Sequence, residues 1–192
     1  LNEVPAGCNG LILQPYWGPG LSRPLSRGAI IGFSDTITKM HLYRAIIEGI
    51  DYELRRGLES IEKHQHKKVS RIMISGGGSQ SDQICQIAAD IFNLPVSRVQ
   101  TFETSTLGAA IAGFIASGVY KSGLHAVENM VRITRTFIPN SSNREVYDFM
   151  YKKGYKKMYP SLRKIYKDIK NFENRKSAFE RIKAALKKNK NI

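Results

Sequence analysis

The segment Ser75-Gly76-Gly77-Gly78-Ser79-Gln80-Ser81 constrains the fold of this chain more than any other. The apolar run at 69–75 (VSRIMIS) leads into it. A helical pattern with Ile84, Ile87, Ala88, Ile91 and Phe92 on one face leads out, closed by Asn93 and Pro95. The order is a strand, a glycine turn and a helix. Three consecutive glycines let the backbone take positive φ and approach a ligand closely, while the next helix offers unpaired N–H groups and the short hydroxyl of Ser81. A nucleotide can rest on such a shelf. The same residues also suit a plain tight turn, since neither the Lys-Ser/Thr ending of a Walker A loop nor the G-x-G-x-x-G spacing is present.

The remaining patterns extend this unit. Residues 10–17 (GLILQPYW) read as a strand that enters a long irregular loop through Pro15 and Gly18-Pro19-Gly20, and 28–33 (GAIIGF) as a second short strand. Asp35 or Thr38 can cap a long, central helix whose apolar positions Leu42, Ile46, Ile50, Leu54, Leu58 and Ile61 recur every three or four residues. Beyond the glycine unit, 96–102 reads as another strand and about 104–117 as a helix of small and apolar residues. There Gly108, Ala109, Ala110, Ala112, Gly113 and Ala116 permit close backbone approach. The resulting β-β-α-β-α-β-α order predicts an α/β layered domain whose sheet is at least partly parallel.

At 192 residues, with 42% hydrophobic and 24% charged, the chain suits one large domain or two small ones. That composition excludes wholesale disorder, a collagen-like repeat and a disulfide-dominated mini-fold. Cys8 and Cys85 form no framework and no C-x-x-C pair, which points to free thiols in a reducing, cytoplasmic setting. The longest apolar stretch, 107–119, is broken by three glycines and falls short of the roughly 20 residues that span a bilayer, so no membrane partner is expected. The start, Leu-Asn-Glu-Val-Pro, lacks the features of a signal peptide, and without an initiating Met it is not expected to be a native start.

A net charge of +14 would ordinarily suggest nucleic acid or an anionic surface, but it is unevenly placed. Residues 1–150 carry 15 Lys+Arg against 13 Asp+Glu, and 151–192 carry 15 against 3. In the tail, Tyr147, Met150, Tyr151, Gly154, Tyr155, Met158 and Tyr159 recur at helical spacing before Pro160, and Leu162, Ile165, Tyr166 and Ile169 continue the stripe after it. From Asn171 on, Phe172, Phe179, Ile182, Ala185 and Leu186 remain as an apolar stripe among lysines. A basic module for nucleic acid would stack bases on these aromatics. Docking onto the body is expected to use them instead, leaving the lysines as a solvated face and no nucleic-acid partner.

Other chemistry-bearing residues read as structural. His64 and His66 have no matching ligand set for a metal, with only His41 and His125 elsewhere. No G-x-S-x-G elbow supports a hydrolase triad. Arg23 and Arg27 suit either an anionic ligand or a loop-holding hydrogen bond. Glu48 and Asp51 have Arg44 and Arg55 four residues away, so helix ion pairs account for them. Glu103, at a strand's end, suits either a ligand or a helix cap.

In sum of motif and spacing, the chain resembles the C-terminal, nucleotide-binding half of the FGGY carbohydrate kinases, within the actin-like and ribonuclease-H-like ATPases. The stretch Arg27-Gly28-Ala29-Ile30-Ile31-Gly32-Phe33, then seven residues, then His41-Leu42-Tyr43-Arg44-Ala45-Ile46-Ile47-Glu48-Gly49 resembles the family's C-terminal signature, with Phe33 where an aliphatic residue is usual. Pro15-Tyr16-Trp17 and the following loop are similar to the segment before that signature, although Gly20-Leu21-Ser22-Arg23-Pro24 stands for the usual Gly-Glu-Arg-Thr-Pro. Gly76-Gly77-Gly78-Ser79-Gln80-Ser81 resembles the adenosine motif. Ala88-Ala89-Asp90-Ile91, Pro95-Val96, Glu103 and Leu107-Gly108-Ala109-Ala110 follow in the family's order, and the helix ending near Tyr159-Pro160 is similar to the closing segment.

The resemblance implies a ribonuclease-H-like mixed sheet flanked by helices, with a C-terminal helical tail. It places a nucleotide-binding domain at 1–139, lacking its first strands, and a basic helical tail packed on it at 140–192. It implies ATP and Mg2+ as cofactors. Gly77 would approach the adenosine and phosphates, Gly76 and Gly78 would shape the turn, and Ser81 would sit near the nucleotide. Family members transfer the γ-phosphoryl group of MgATP to a sugar or polyol hydroxyl. Their catalytic Asp, phosphate loops and metal carboxylate precede the region matched here, so the expectation is an incomplete enzyme with no catalytic residue of its own and its small-molecule substrate bound mainly by a missing N-terminal domain. A homodimer is left open. The alternatives are a non-catalytic nucleotide-binding regulator and a basic nucleic-acid-binding module that uses the Lys-rich tail.

Overall fold

The computed structural model describes residues 1, 3–18, 20 and 23–189, with side chains in the last helix given through 177 and at 179. Leu21 and Ser22 of the long loop, and the side chains of Ile182, Ala185 and Leu186, lie outside the described residues. Strand β1 (Ile12–Gln14) pairs antiparallel with β2 (Ala29–Ile31), Leu13 opposite Ile30. Both are shorter than their apolar runs. Cys8–Gly10 form a 3-10 turn with left-handed backbone at Gly7, Cys8 and Asn9, and Pro15, which lacks an N–H for the ladder, closes β1. Helix α1 (Lys39–Gln65) follows from Thr38, whose N–H donates to His41 Nδ1 at 3.3 Å, and ends at His66 in the left-handed conformation.

The second sheet is mixed. β3 (Ile72–Ile74) runs parallel to β4 (Val96–Val99), with helix α2 (Asp82–Phe92) as the crossover. After α3 (Thr104–Ala116) and α4 (Gly123–Met130), β5 (Ile133–Phe137) returns antiparallel to β4. The strand order is β3-β4-β5. The sequence patterns did not show α4 and β5; His125 lies in α4 with its ring edge-on to Tyr120. Four of the five β5 residues are exposed, so the strand buries too little apolar surface to show a clear alternation.

The core centres on tyrosines. Helix α5 (Arg144–Phe149), a π-helical segment (Met150–Tyr155) and α6 (Lys156–Asn189) form the tail. Tyr147, Met150, Tyr151, Tyr155 and Met158 enter one cluster with Ile12, Ile47, Tyr52, Ile87 and Ile91. The Tyr52 ring lies 6.4, 6.0 and 5.4 Å from those of Tyr147, Tyr151 and Tyr155. The tail thus docks through aromatics as its spacing predicts, but only as far as Tyr166. Ile165, Ile169, Phe172 and Phe179 are exposed, because the body offers no surface on that side of α6.

Helix α1 departs from its periodicity in a telling way. Ile50, Leu54 and Ile61 of the expected apolar stripe are exposed, and the buried side carries Arg44, Ala45, Ile47, Glu48, Gly49, Asp51 and Tyr52. Polar groups can take the buried side because most satisfy one another. Arg44 Nε donates to Glu48 Oε1 at 2.7 Å, its Nη1 to the Val4 and Leu1 carbonyls at 2.7 and 3.0 Å, and its Nη2 to Tyr147 Oη at 2.7 Å. Glu48 Oε1 also accepts from Tyr147 Oη and from the Gly7 N–H. Burial pushes the Glu48 carboxyl up, and the Arg44 hydrogen bond opposes it.

Candidate functional site

The carboxyl edge of the parallel pair β3–β4 is where an open α/β sheet offers room for a ligand. The chain leaves β3 through Ser75, and Gly76 adopts φ +85° with ψ 178°, a conformation open in practice to glycine alone. The Gly76 N–H donates to the Phe102 carbonyl at 3.1 Å, which ties the glycine loop to the entry of α3. Gly77–Gln80 then form one 3-10 turn, closed by the Ser79 N–H and hydroxyl on the Gly76 carbonyl at 3.0 and 2.7 Å. Ser81 caps α2, its hydroxyl accepting from the Ile84 N–H at 3.4 Å.

The four expected site residues are therefore adjacent at one edge of the molecule, Gly76, Gly77 and Gly78 exposed and Ser81 half-buried. Neither a left-handed backbone nor a crowded neighbour explains Gly77 or Gly78: a Cβ would meet nothing within 4 Å at Gly77 and only Ile84 Cγ2, at 3.9 Å, at Gly78. Gly57, Gly108, Gly113 and Gly123 are equally unconstrained but lie within or at the start of helices, whereas other glycines are required by the fold. A Cβ on Gly49 would stand 2.3 Å from the Leu13 carbonyl oxygen, so α1 and β1 approach closely only because that side chain is absent.

One residue of this site gave no signal in the sequence reading. Arg98, on β4, donates to the Ser79 carbonyl at 3.1 Å, reaches the Gln80 carbonyl at 3.4 Å and pairs with Asp82 at 2.8 Å. It fastens the turn after the glycines from below, a role that only β3–β4 pairing reveals. Arg98 also lines a cleft of about 330 Å³ with Ser79, Gln80, Gln100, Phe102 and Thr134. A larger cleft, about 550 Å³, lies on the other flank of α2, but its arginines are already engaged, Arg44 with Glu48 and Arg135 with Asp82.

The remaining candidates take structural roles. Arg23 lies between the rings of Tyr16 and Tyr159, 5.2 and 4.7 Å from their centroids, and pairs with Glu53 at 3.8 Å. Arg27 pairs with Glu173 of α6. Arg23 holds the loop, while Arg27, besides its ion pair, lines an open cleft of about 590 Å³ with Trp17, Gly28 and Lys170. Arg55 pairs with Asp148 at 2.5 Å, not with Asp51 as helix spacing suggested, so Asp51 stays buried with Oδ2 lacking a partner. Glu103 occupies the cap position of α3, but its side chain makes no capping bond. Among the described residues no group of three or more His, Cys, Asp or Glu side chains could hold a metal ion, and both cysteines are free and buried.

Residues 2–117 match the C-terminal domain of the FGGY family of carbohydrate kinases. The chain belongs to that family. An uncharacterized sugar kinase of Escherichia coli, YgcE, is 38% identical over 149 residues, covering 78% of this chain and 30% of its own length. The xylulose kinase of Staphylococcus epidermidis strain RP62A is 32% identical over 172 residues, covering 88% of this chain and 34% of its own length. Among solved FGGY kinases, the ligand-bound xylulose kinase of Lactobacillus acidophilus superposes with a TM-score of 0.77 at 26% identity, over 88% of this chain and 34% of that one. The fold is thus the actin-like, ribonuclease-H-like one, with its mixed sheet and flanking helices. This chain spans about a third of the length of the relatives it matches.

Proposed function

We propose that this chain is the nucleotide-binding part of an ATP-dependent kinase that phosphorylates a sugar or polyol hydroxyl, with 1–139 as the nucleotide-binding domain and 140–192 as a tail that completes its core. The observation that carries the reading is the room at Gly77 and Gly78. Two exposed glycines that no φ value and no neighbour in the chain requires, set at the N-terminus of α2, suit a ligand that comes against the backbone itself.

In this reading the adenosine side of ATP lies over Gly76–Gly78, with Ser81 beside it and Arg98 keeping the turn rigid. When bound, ATP supplies the γ-phosphoryl group, and Mg2+ neutralises the charge on its phosphates. Among the described residues no group of three or more His, Cys, Asp or Glu could hold the metal, and in this reading its ligands are assigned to another part of the polypeptide. The acceptor hydroxyl and the base that receives its proton are likewise assigned outside 1–192. The part of this chain is to bind and orient the nucleotide.

The test is titration of ADP into the 192-residue chain, followed by backbone amide NMR. Shifts are expected at Gly76–Ser81 and at Phe102–Thr104. Gly77→Val is expected to lower ADP affinity by at least about tenfold, or roughly 1.4 kcal/mol, with an unchanged melting temperature because its Cβ meets open space. Glu128→Ala, on the exposed side of α4, serves as the control. Equal affinity in the two variants, or shifts confined to another face, would remove the site.

A further inference from the structure

Past Tyr166, helix α6 carries an apolar stripe into solvent. Ile165, Ile169, Phe172 and Phe179 fall on one helical face and are 53, 38, 68 and 64% exposed. The side that meets the body is a different one: Gln14 Nε2 donates to the buried Tyr166 hydroxyl at 3.3 Å, Glu173 pairs with Arg27, and Lys170 Nζ donates to the Pro24 carbonyl at 3.4 Å. By the 3.6-residue turn, exposed Lys164 and Arg175 border the far edge of the stripe together with the single acid Asp168, and exposed Lys176 lies within it. Residues 151–192 hold 15 Lys+Arg against 3 Asp+Glu.

We propose that α6 is an interfacial helix that lies on an anionic lipid bilayer. The stripe enters the boundary between headgroups and acyl chains, and the flanking cations meet the negative headgroups. The charge selects an anionic occupant, and the stripe selects hydrocarbon. Of the four stripe residues Phe172 and Phe179 have a π face on which a base could stack and Ile165 and Ile169 do not, and Tyr147, Tyr151 and Tyr155 are buried in the core. No helix among the described residues is long and apolar enough to cross a membrane, so the mode is adsorption to the surface rather than spanning. The sequence reading, which consumed the aromatics in docking and left only a solvated lysine face, is revised at Phe172 and Phe179.

The test is co-sedimentation of the polypeptide that carries this sequence with vesicles of phosphatidylcholine alone or mixed with phosphatidylserine, at low and high salt. Binding is expected to the mixed vesicles only and to weaken with salt. The double variant Phe172→Ser/Phe179→Ser is expected to reduce it by about tenfold or more, with an unchanged melting temperature because both side chains are exposed. A Phe172→Trp variant compared with the unsubstituted protein, whose own Trp17 is exposed, reads insertion as an additional blue-shifted emission on mixed vesicles. Absence of binding, or equal binding by the double variant, would overturn the proposal. Displacement from the vesicles by a short oligonucleotide at low concentration would overturn it in favour of nucleic acid. Gly77→Val is expected to leave vesicle binding unchanged, so this proposal and the nucleotide reading fail separately.

Discussion

Asp51 lies on the buried side of α1 with Oδ2 unpartnered, and burial, reinforced by the nearby negative charge of Glu48, pushes its carboxyl up to about 8. The folded protein holds a proton there that the unfolded chain, with a carboxyl at 3.8, releases. Between about pH 4 and pH 8 the native state therefore binds more protons than the unfolded state, and stability falls as pH rises. The contribution is fully present below the unfolded value and gone above the folded one. Asp51→Asn removes this dependence while keeping the side-chain shape. Denaturant titrations at intervals from pH 5 to pH 8 are expected to show the wild-type stability falling by up to about 1.4 kcal/mol per pH unit. The variant should follow a shallower line, with a residue of slope left by Glu48, whose carboxyl is also raised by burial. Parallel lines would mean that Asp51 is ionised in the fold.

Helix α1 was legible in its extent but not in its orientation. Thr38 and the recurring apolar residues mark its course, while the stripe Ile50, Leu54 and Ile61 marks the face that ends up exposed. A period reports where apolar residues lie, and here the opposite face is buried through Arg44–Glu48–Tyr147 and Tyr52, pairings between α1 and a tail about a hundred residues away. The glycine shelf was legible because its strand, turn and helix are local. Arg98 was not, because its partners arrive through β3–β4 pairing. Glycines divide along the same line, and α1 holds a matched pair. Gly49→Ala places a Cβ 2.3 Å from the Leu13 carbonyl oxygen and is expected to cost about 1–3 kcal/mol. Gly57→Ala meets nothing within 4 Å and is expected to stabilise by about 0.4–1 kcal/mol. Urea midpoints of the two variants read both signs, and a loss at Gly57 comparable to that at Gly49 would show that helix propensity and close approach have been misassigned.

For the whole molecule, the distribution of exposed apolar surface carries the argument. The stripe Tyr43, Ile50, Leu54 and Ile61 on α1 faces outward, Ile30, Ile31 and Phe33 lie exposed at and just beyond β2, and α3 buries none of its residues despite Leu107, Ile111, Phe114 and Ile115. Contiguous apolar area of this kind normally meets another surface. The chain covers about a third of its relatives' length, so the occupant to test first is a further segment of a longer polypeptide. Leu54→Gln/Ile61→Gln separates the two states. In the 192-residue chain both side chains are exposed, at 57 and 52%, and the double variant should change stability by no more than about 0.5 kcal/mol while lowering the binding of a hydrophobic dye. If a further segment covers this face in a longer polypeptide, the same substitutions place two amides in that contact, at about 1.5–3 kcal/mol of lost burial for each side chain. A melting temperature that falls in the long polypeptide and holds in the short one is the expected result. Equal insensitivity in both would mean that this face of α1 stays exposed in the native protein.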